Sequence, residues 1–188
     1  NRDEVLSRPA DPAAFWTGPV RLLAGRDRAA GGAWMGVTPT GRFAALTNVR
    51  DPRAFDPSAP SRGELVVRFL LGGEAPLRHL GTVAAEPVRR NGFNLLAGAA
   101  GRLAWLSSAG GAPREVSGGV HAVSNALLDT PWPKTVRTAG RLAAIVGRKG
   151  RLDPEELFAL LADRERAPDA ELPDTGVSLA TERLLSPP

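Results

Sequence analysis

The chain has no cysteine, only two histidines and only two lysines, Lys134 and Lys149. Without cysteine these residues hold no disulfide and no thiolate metal site, so stability rests on the core alone. The positive charge is carried almost wholly by arginines. These are interspersed with acids, as in Arg164-Glu165-Arg166, and never form a block of five or more. A net charge of +4 spread in this way argues against a nucleic-acid partner. There is no apolar run long enough to span a bilayer and no secretory-signal pattern, which leads to the expectation of a cytoplasmic protein with no stable membrane insertion. A Gly-rich phosphate loop, zinc-ligand spacing and internal repeats are also missing, which removes the commonest nucleotide and metal readings. Composition leaves the oligomeric state open.

What is present is ordinary globular material. The 188 residues, 43% hydrophobic and 23% charged, suit one domain that buries roughly two-thirds of its unfolded surface. Residues 1–188 are read as that single domain. Because the sequence opens on Asn1 and closes on Leu185-Ser186-Pro187-Pro188, the expectation is a fragment truncated at both ends.

Alternation predicts strands over 19–25, 31–38 and 43–48, the last two forming a hairpin about Pro39-Thr40-Gly41. Residues 7–12, spaced by Pro9 and Pro12, read as a loop. Ser61 with Glu64 three residues later has the form of a capping box, ahead of a helix with Leu65, Val66, Phe69 and Leu70 on one face. That helix ends at Gly72-Gly73, and a weaker one follows near 77–85. Strands over 91–98 and 102–108, a short piece at Glu115-Val116, and helices over 134–148 and 153–162 complete the pattern. Strands in antiparallel-style neighbours with helices in pairs between them suggest a layered α+β fold with two sheets or one large one.

The chain is organised around residues 118–134. Gly118 and Gly119 open it, apolar and small residues alternate through Ser124, and it halts at Asn125 ahead of a Pro131-Trp132-Pro133 corner. This reads as a buried strand ending in a fixed amide, a group able to direct its N–H at a developing negative charge without rearranging. Asn48 closes the strand over 43–48 in the same manner.

The runs Asn1-Arg2-Asp3-Glu4, Gly31-Gly32-Ala33-Trp34-Met35-Gly36-Val37, Thr47-Asn48-Val49-Arg50, Ser61-Arg62-Gly63, Asn91-Gly92-Phe93-Asn94-Leu95 and Leu127 to Lys134 together resemble the NRDE family, the Transport and Golgi organisation protein 2 family. The likeness runs in collinear order over nearly the whole chain. It implies a fold related to the N-terminal nucleophile hydrolases, a four-layer αββα sandwich, here without its first strand and its C-terminal end. Members typically begin Met-Cys, with that cysteine as nucleophile once Met is removed, and the expectation is that these residues, opening at Asn1, lack that segment. Cysteine-type members of the wider superfamily, such as bile salt hydrolases and penicillin acylases, carry a Gly-led strand ending in Asn, similar to residues 41–48, and a second element similar to Ser124-Asn125. By that resemblance Asn48 and Asn125 would line an oxyanion hole, and Arg2 and Asp3 would steady the nucleophile and its amino group. Arg2 and Asp3 are adjacent here and separated in those enzymes.

The family's association with haem trafficking makes His121 a candidate axial ligand, although a lone histidine in an apolar strand is more commonly a satisfied core residue. His79 has the same two readings on the weaker helix. Arg50 either holds a ligand carboxylate or phosphate or is a solvated surface group. Trp132 either lines a pocket or acts as a rigid wedge between its prolines, and Trp34 and Trp105 read as core aromatics. Two functions follow. One is a hydrolase-like pocket that binds a haem, lipid or acyl-CoA ligand in trafficking and homeostasis, with no cofactor required and haem as a ligand. The other is an N-terminal-cysteine amidohydrolase acting on non-peptide C–N bonds, whose nucleophile lies upstream of these residues.

Overall fold

The computed structural model describes residues 7–148 and 150–187. Within them the fold is α+β, with one antiparallel sheet of seven strands in chain order. These are β1 (Ala10–Phe15), β2 (Leu23–Asp27), β3 (Met35–Val37), β4 (Phe43–Asn48), β5 (Phe93–Ala99), β6 (Arg102–Ser107) and β7 (Arg114–Glu115). Helices α1 (Gly63–Leu71) and α2 (Pro76–Ala84) enter between β4 and β5, and α3 (Pro133–Val146), α4 (Pro154–Leu161) and α5 (Leu179–Leu184) follow β7.

Register explains why helices cover one face of the sheet. Ala24, Gly36, Ala44, Ala97 and Ala104 lie opposite one another across five strands, giving a row of minimal side chains on which helices approach closely. The next row is Leu46, Leu95 and Leu106. Against these rows α1 buries Leu65, Val66, Phe69 and Leu70, the spacing of a single helical stripe. At Gly36 an added Cβ would stand 2.7 Å from Leu70 Cδ1, so the small residue is required by α1. Gly32 meets a tighter limit, because a Cβ there would lie 2.5 Å from the Gly63 carbonyl carbon. Two separated glycines in the sequence are thus the two sides of one backbone contact, sealed by a 3.2 Å bond from the Ala33 N–H to the Gly63 carbonyl.

Several sequence-based expectations change. Residues 118–124 do not form a strand. They belong to a loop between β7 and α3, because residues near its apex bond to side chains at the ends of β4 and β5 instead of to a neighbouring strand. The supposed loop over 7–12 runs into β1. Pro12 is tolerated there because β1 is an edge strand whose pairing with β2 shifts register between Asp11 and Ala14, and Arg8 pins the segment to buried Asp27 at 2.5 Å. The strands predicted over 19–25 and 31–38 shrink to Leu23–Asp27 and Met35–Val37. Ser61 is not an N-cap in a capping box. Its Oγ accepts from the Gly63 N–H at 3.2 Å, while Glu64 turns outward to Arg90 at 2.6 Å.

His79 on α2 is buried, edge-on to Phe69, with Nδ1 3.2 Å from Glu74 and Nε2 without a partner. Burial holds its pKa below the ordinary imidazole value. The bond to Glu74 opposes this, and the charges of Arg68 and Arg42 reinforce it. The unfolded chain therefore takes up the proton first on acidification. The stability contributed by neutral His79 is complete above about pH 6.5 and is lost as pH falls from there through the lower folded value. Urea unfolding from pH 8 to 5 should show this decline, and His79→Leu should flatten it; an unchanged slope in the variant would assign the decline to other groups.

Candidate functional site

The ends of β4 and β6 and the start of β5 lie together, since Asn48 pairs with Phe93 and Asn94 with Ser107. Asn94 is 1% exposed near the start of an apolar strand, so its amide must be satisfied internally. Its Nδ2 donates to Thr47 Oγ1 at 3.1 Å and to the Ala126 carbonyl at 2.8 Å, and its Oδ1 accepts from Trp105 Nε1 at 3.2 Å. Thr47 in turn donates its hydroxyl to the Ser124 carbonyl at 2.5 Å. Two adjacent strands thus hold the apex of the 116–132 loop by its main chain.

That anchoring brings Asn48, Arg50 and Asn125 together. Asn125 Nδ2 donates to the Asn48 carbonyl at 3.1 Å, and the Arg50 N–H donates to the Asn125 carbonyl at 2.8 Å. The Asn125 Oδ1 accepts from Arg50 Nη2 and from Ser124 Oγ, each at 3.2 Å. By contrast the Asn48 amide has no hydrogen-bond partner among the described residues. Asn125 therefore spends one amide hydrogen on the β4 terminus, whereas Asn48 keeps its donors for whatever enters beside it.

Arg50 is not a solvated surface group. Its side chain is 10% exposed and Nη1 sits 2.9 Å from Oε2 of Glu182, itself 5% exposed. The guanidinium carbon also lies 5.3 Å from the Trp132 ring centroid. The second oxygen of Glu182 accepts from the N–H and the hydroxyl of Thr175, at 3.0 and 2.5 Å. This carboxylate carries α5 onto the sheet end. Trp132 lines a recess of only about 10 Å³ beside Arg50 and Glu182, space for about one water, and acts as a wedge at the start of α3.

His121 stands apart in the same loop. Nδ1 faces Asp129 Oδ2 at 2.7 Å and Nε2 faces the Ser117 carbonyl at 3.1 Å. Both neighbours can accept a hydrogen bond, so the two ring nitrogens face partners within the loop itself. Asp129 adopts φ +62°, and its Oδ1 accepts from the Ala122 N–H at 2.9 Å. Burial pushes the Asp129 carboxyl up, but the Ala122 N–H, the His121 ring and the charges of His121 and Arg114 together hold it below the usual range. His79 is engaged in the core. Among the described residues no cluster of three or more His, Asp and Glu side chains is arranged to hold a metal. Arg2 and Asp3 lie outside the described residues.

A cleft of about 1230 Å³ opens beside Asn48. Val83, Phe93 and Leu106 supply apolar lining, and Asn48, Arg50, Arg62, Arg89 and Asn125 polar lining. Its size accommodates an organic ligand larger than a metabolite fragment. The two asparagines and Arg50 line this cleft together, while His121 and Trp132 do not. Sequence reasoning missed Thr47, Asn94 and Glu182. Asn94, flanked by Phe93 and Leu95, is the one that a buried-polar argument could have found.

With this geometry in view, the comparisons with known proteins are decisive on family. The family model for Transport and Golgi organisation 2 matches residues 1–187. The chain belongs to the Transport and Golgi organisation 2 family. Relatives include a Transport and Golgi organization 2 homolog of Mus musculus, 33% identical over 196 residues, covering 100% of this chain and 71% of the relative. A Homo sapiens homolog is 37% identical over 186 residues, covering 94% of this chain and 67% of its own length. No helix among the described residues is long and apolar enough to cross a membrane.

The buried Arg50–Glu182 pair gives a direct test. Glu182→Ala should lower stability by about 3–5 kcal/mol, since it removes the carboxylate that faces a buried guanidinium. Arg50→Ala in the same background should add far less than it does alone. Urea titration of the two single variants and the double variant measures this, and additive losses would show that the pair is not coupled.

Proposed function

We propose that the cleft beside Asn48 binds an amphipathic small molecule of the acyl class, and that the domain serves ligand handling in haem or lipid and acyl-CoA trafficking. The observation that carries this reading is the cleft itself: an apolar lining bordered by arginines, with an unpartnered amide at the end of β4. Relatives are named for transport and Golgi organisation, which accords with a trafficking role. Haem belongs to the same chemical class, an apolar body with carboxylates, and on this reading it would be held by the cleft without His121.

We also propose a relation to the N-terminal nucleophile hydrolases, which the sequence resemblance implies. In that architecture a second sheet would cover the face of the sheet opposite α1 and α2. Leu23, Val37, Phe43 and Leu103, which share that face by register, are each partly or wholly exposed among the described residues, as a seat for another layer would be. A second function follows from the adjacency of Asn48 and Asn125: amide donors for an acyl-transfer oxyanion, with a cysteine upstream of Asn1 as nucleophile.

Equilibrium binding of a fluorescent fatty acid separates the two. The ligand-binding reading predicts saturable, reversible association by residues 1–188 with no covalent product. Failure of this chain to bind, together with a burst of acylation when a cysteine precedes Asn1, would replace it with the enzyme reading.

A further inference from the structure

The lining of the cleft carries more positive than negative charge. Arg50, Arg62, Arg89 and Arg90 line it, against the carboxylates of Asp51 and Glu86. Most of this charge is already engaged. Arg50 is committed to Glu182 at 2.9 Å, and Arg90 is held by Glu86 at 2.9 Å and Glu64 at 2.6 Å. Arg62 donates to the Gly92 carbonyl at 2.9 Å. Arg89 differs. Its side chain forms no hydrogen bond or ion pair among the described residues, and Asp56 feels it only through space.

Arg89 also sits where the chain has little freedom to move it. It lies on the segment between α2 and β5, after Pro87 and next to Arg90, whose two ion pairs fix the backbone against α1 and the end of α2. Asn91, two residues on, exchanges bonds with the Asp56 main chain at 2.7 Å in both directions. An exposed guanidinium carried on this held segment, in the lining of the same cleft as Val83 and Phe93, can pair with a single oxyanion without first breaking an internal ion pair.

From this we infer that Arg89, and not Arg50, is the anion-recognition residue of the cleft, and that the ligand is an amphipath whose carboxylate or phosphate pairs with Arg89 while its apolar body lies along Val83, Phe93 and Leu106. The inference rests on the cleft being the binding site and adds the headgroup chemistry and the residue that reads it. Val49, Leu184 and Leu185 extend the apolar lining, so the body has room to run from the cation toward α5. The unpartnered Asn48 amide, on the same wall, supplies a neutral donor for a second polar atom of the ligand.

The test measures binding of dansyl-undecanoic acid, its neutral methyl ester and lauroyl-CoA to the wild-type chain, to Arg89→Gln and to Arg21→Gln. Arg21 is exposed beside Phe15 and away from the cleft, so its variant controls for net charge alone. Wild type should prefer the acid over the ester by about tenfold, the discrimination typical of one charge-assisted contact. Arg89→Gln should abolish that preference while leaving ester affinity unchanged, and Arg21→Gln should alter neither. The same loss with lauroyl-CoA but not the acid would assign the oxyanion to phosphate, and with the acid but not lauroyl-CoA to carboxylate. If wild type prefers the acid and Arg89→Gln keeps the wild-type affinity for each probe, preference included, the assignment of Arg89 is wrong and the cleft reading stands. If wild type binds none of them, the cleft reading and the assignment fall together.

Discussion

The hydrogen bonds from Thr47 and Asn94 to the carbonyls of Ser124 and Ala126 are the constraint on which the rest of the site depends. A strand-end hydroxyl and a buried amide hold an irregular loop by its main chain, at 2.5 and 2.8 Å. Each such bond contributes about 1 kcal/mol net, yet leaving a buried partner unsatisfied costs about 1–3 kcal/mol. The arrangement therefore favours all bonds being made or the loop leaving as a unit. Because the loop apex is fixed, Asn125 reaches the Asn48 carbonyl, its own carbonyl receives the Arg50 N–H, and the Arg50 guanidinium is placed between Trp132 and Glu182. Loop, sheet end and α5 then share one polar junction.

That junction also explains the division of labour among the arginines. A guanidinium that joins three elements is structural, and Glu182 neutralises it where water is scarce. Glu64 and Glu86 are directed to Arg90 and leave its neighbour Arg89 without an ion pair among the described residues. Charge sharing within the fold thus decides which arginine stays unengaged, and sequence position alone does not.

Much of the fold was legible in the sequence wherever side-chain periodicity and burial agree. The apolar stripe of α1, the hairpin leading into β4 and the pair β5–β6 follow directly from alternation and from glycine-marked ends. Residues 118–124 of the 116–132 loop read as a strand because Val120, Ala122 and Ser124 alternate like one. What overrides the alternation is a set of bonds to Thr47 and Asn94, more than 30 residues earlier in the chain, and period counting has no access to these. Asn48 and Asn125 stood out as amides closing strands, and they do lie side by side although Asn125 sits in a loop. Glu182 was illegible, because a carboxylate on a short polar helix looks solvated until its partner at position 50 is known. Arg89 was illegible for the converse reason: an arginine beside another arginine gives no sign of which one the acids will take.

The central claim is that the sheet end holds the loop, and Thr47→Val tests it most directly because it removes one hydroxyl while keeping the side-chain shape. Amide hydrogen exchange, followed by mass spectrometry on peptides covering 118–132 and 46–50, reports on the loop without requiring global unfolding. The account predicts faster exchange in both peptides, including the Arg50 amide bonded to Asn125, with β5 and β6 protection unchanged. Exchange in 118–132 indistinguishable from wild type would contradict it, and would mean that packing rather than these hydrogen bonds keeps the loop in place.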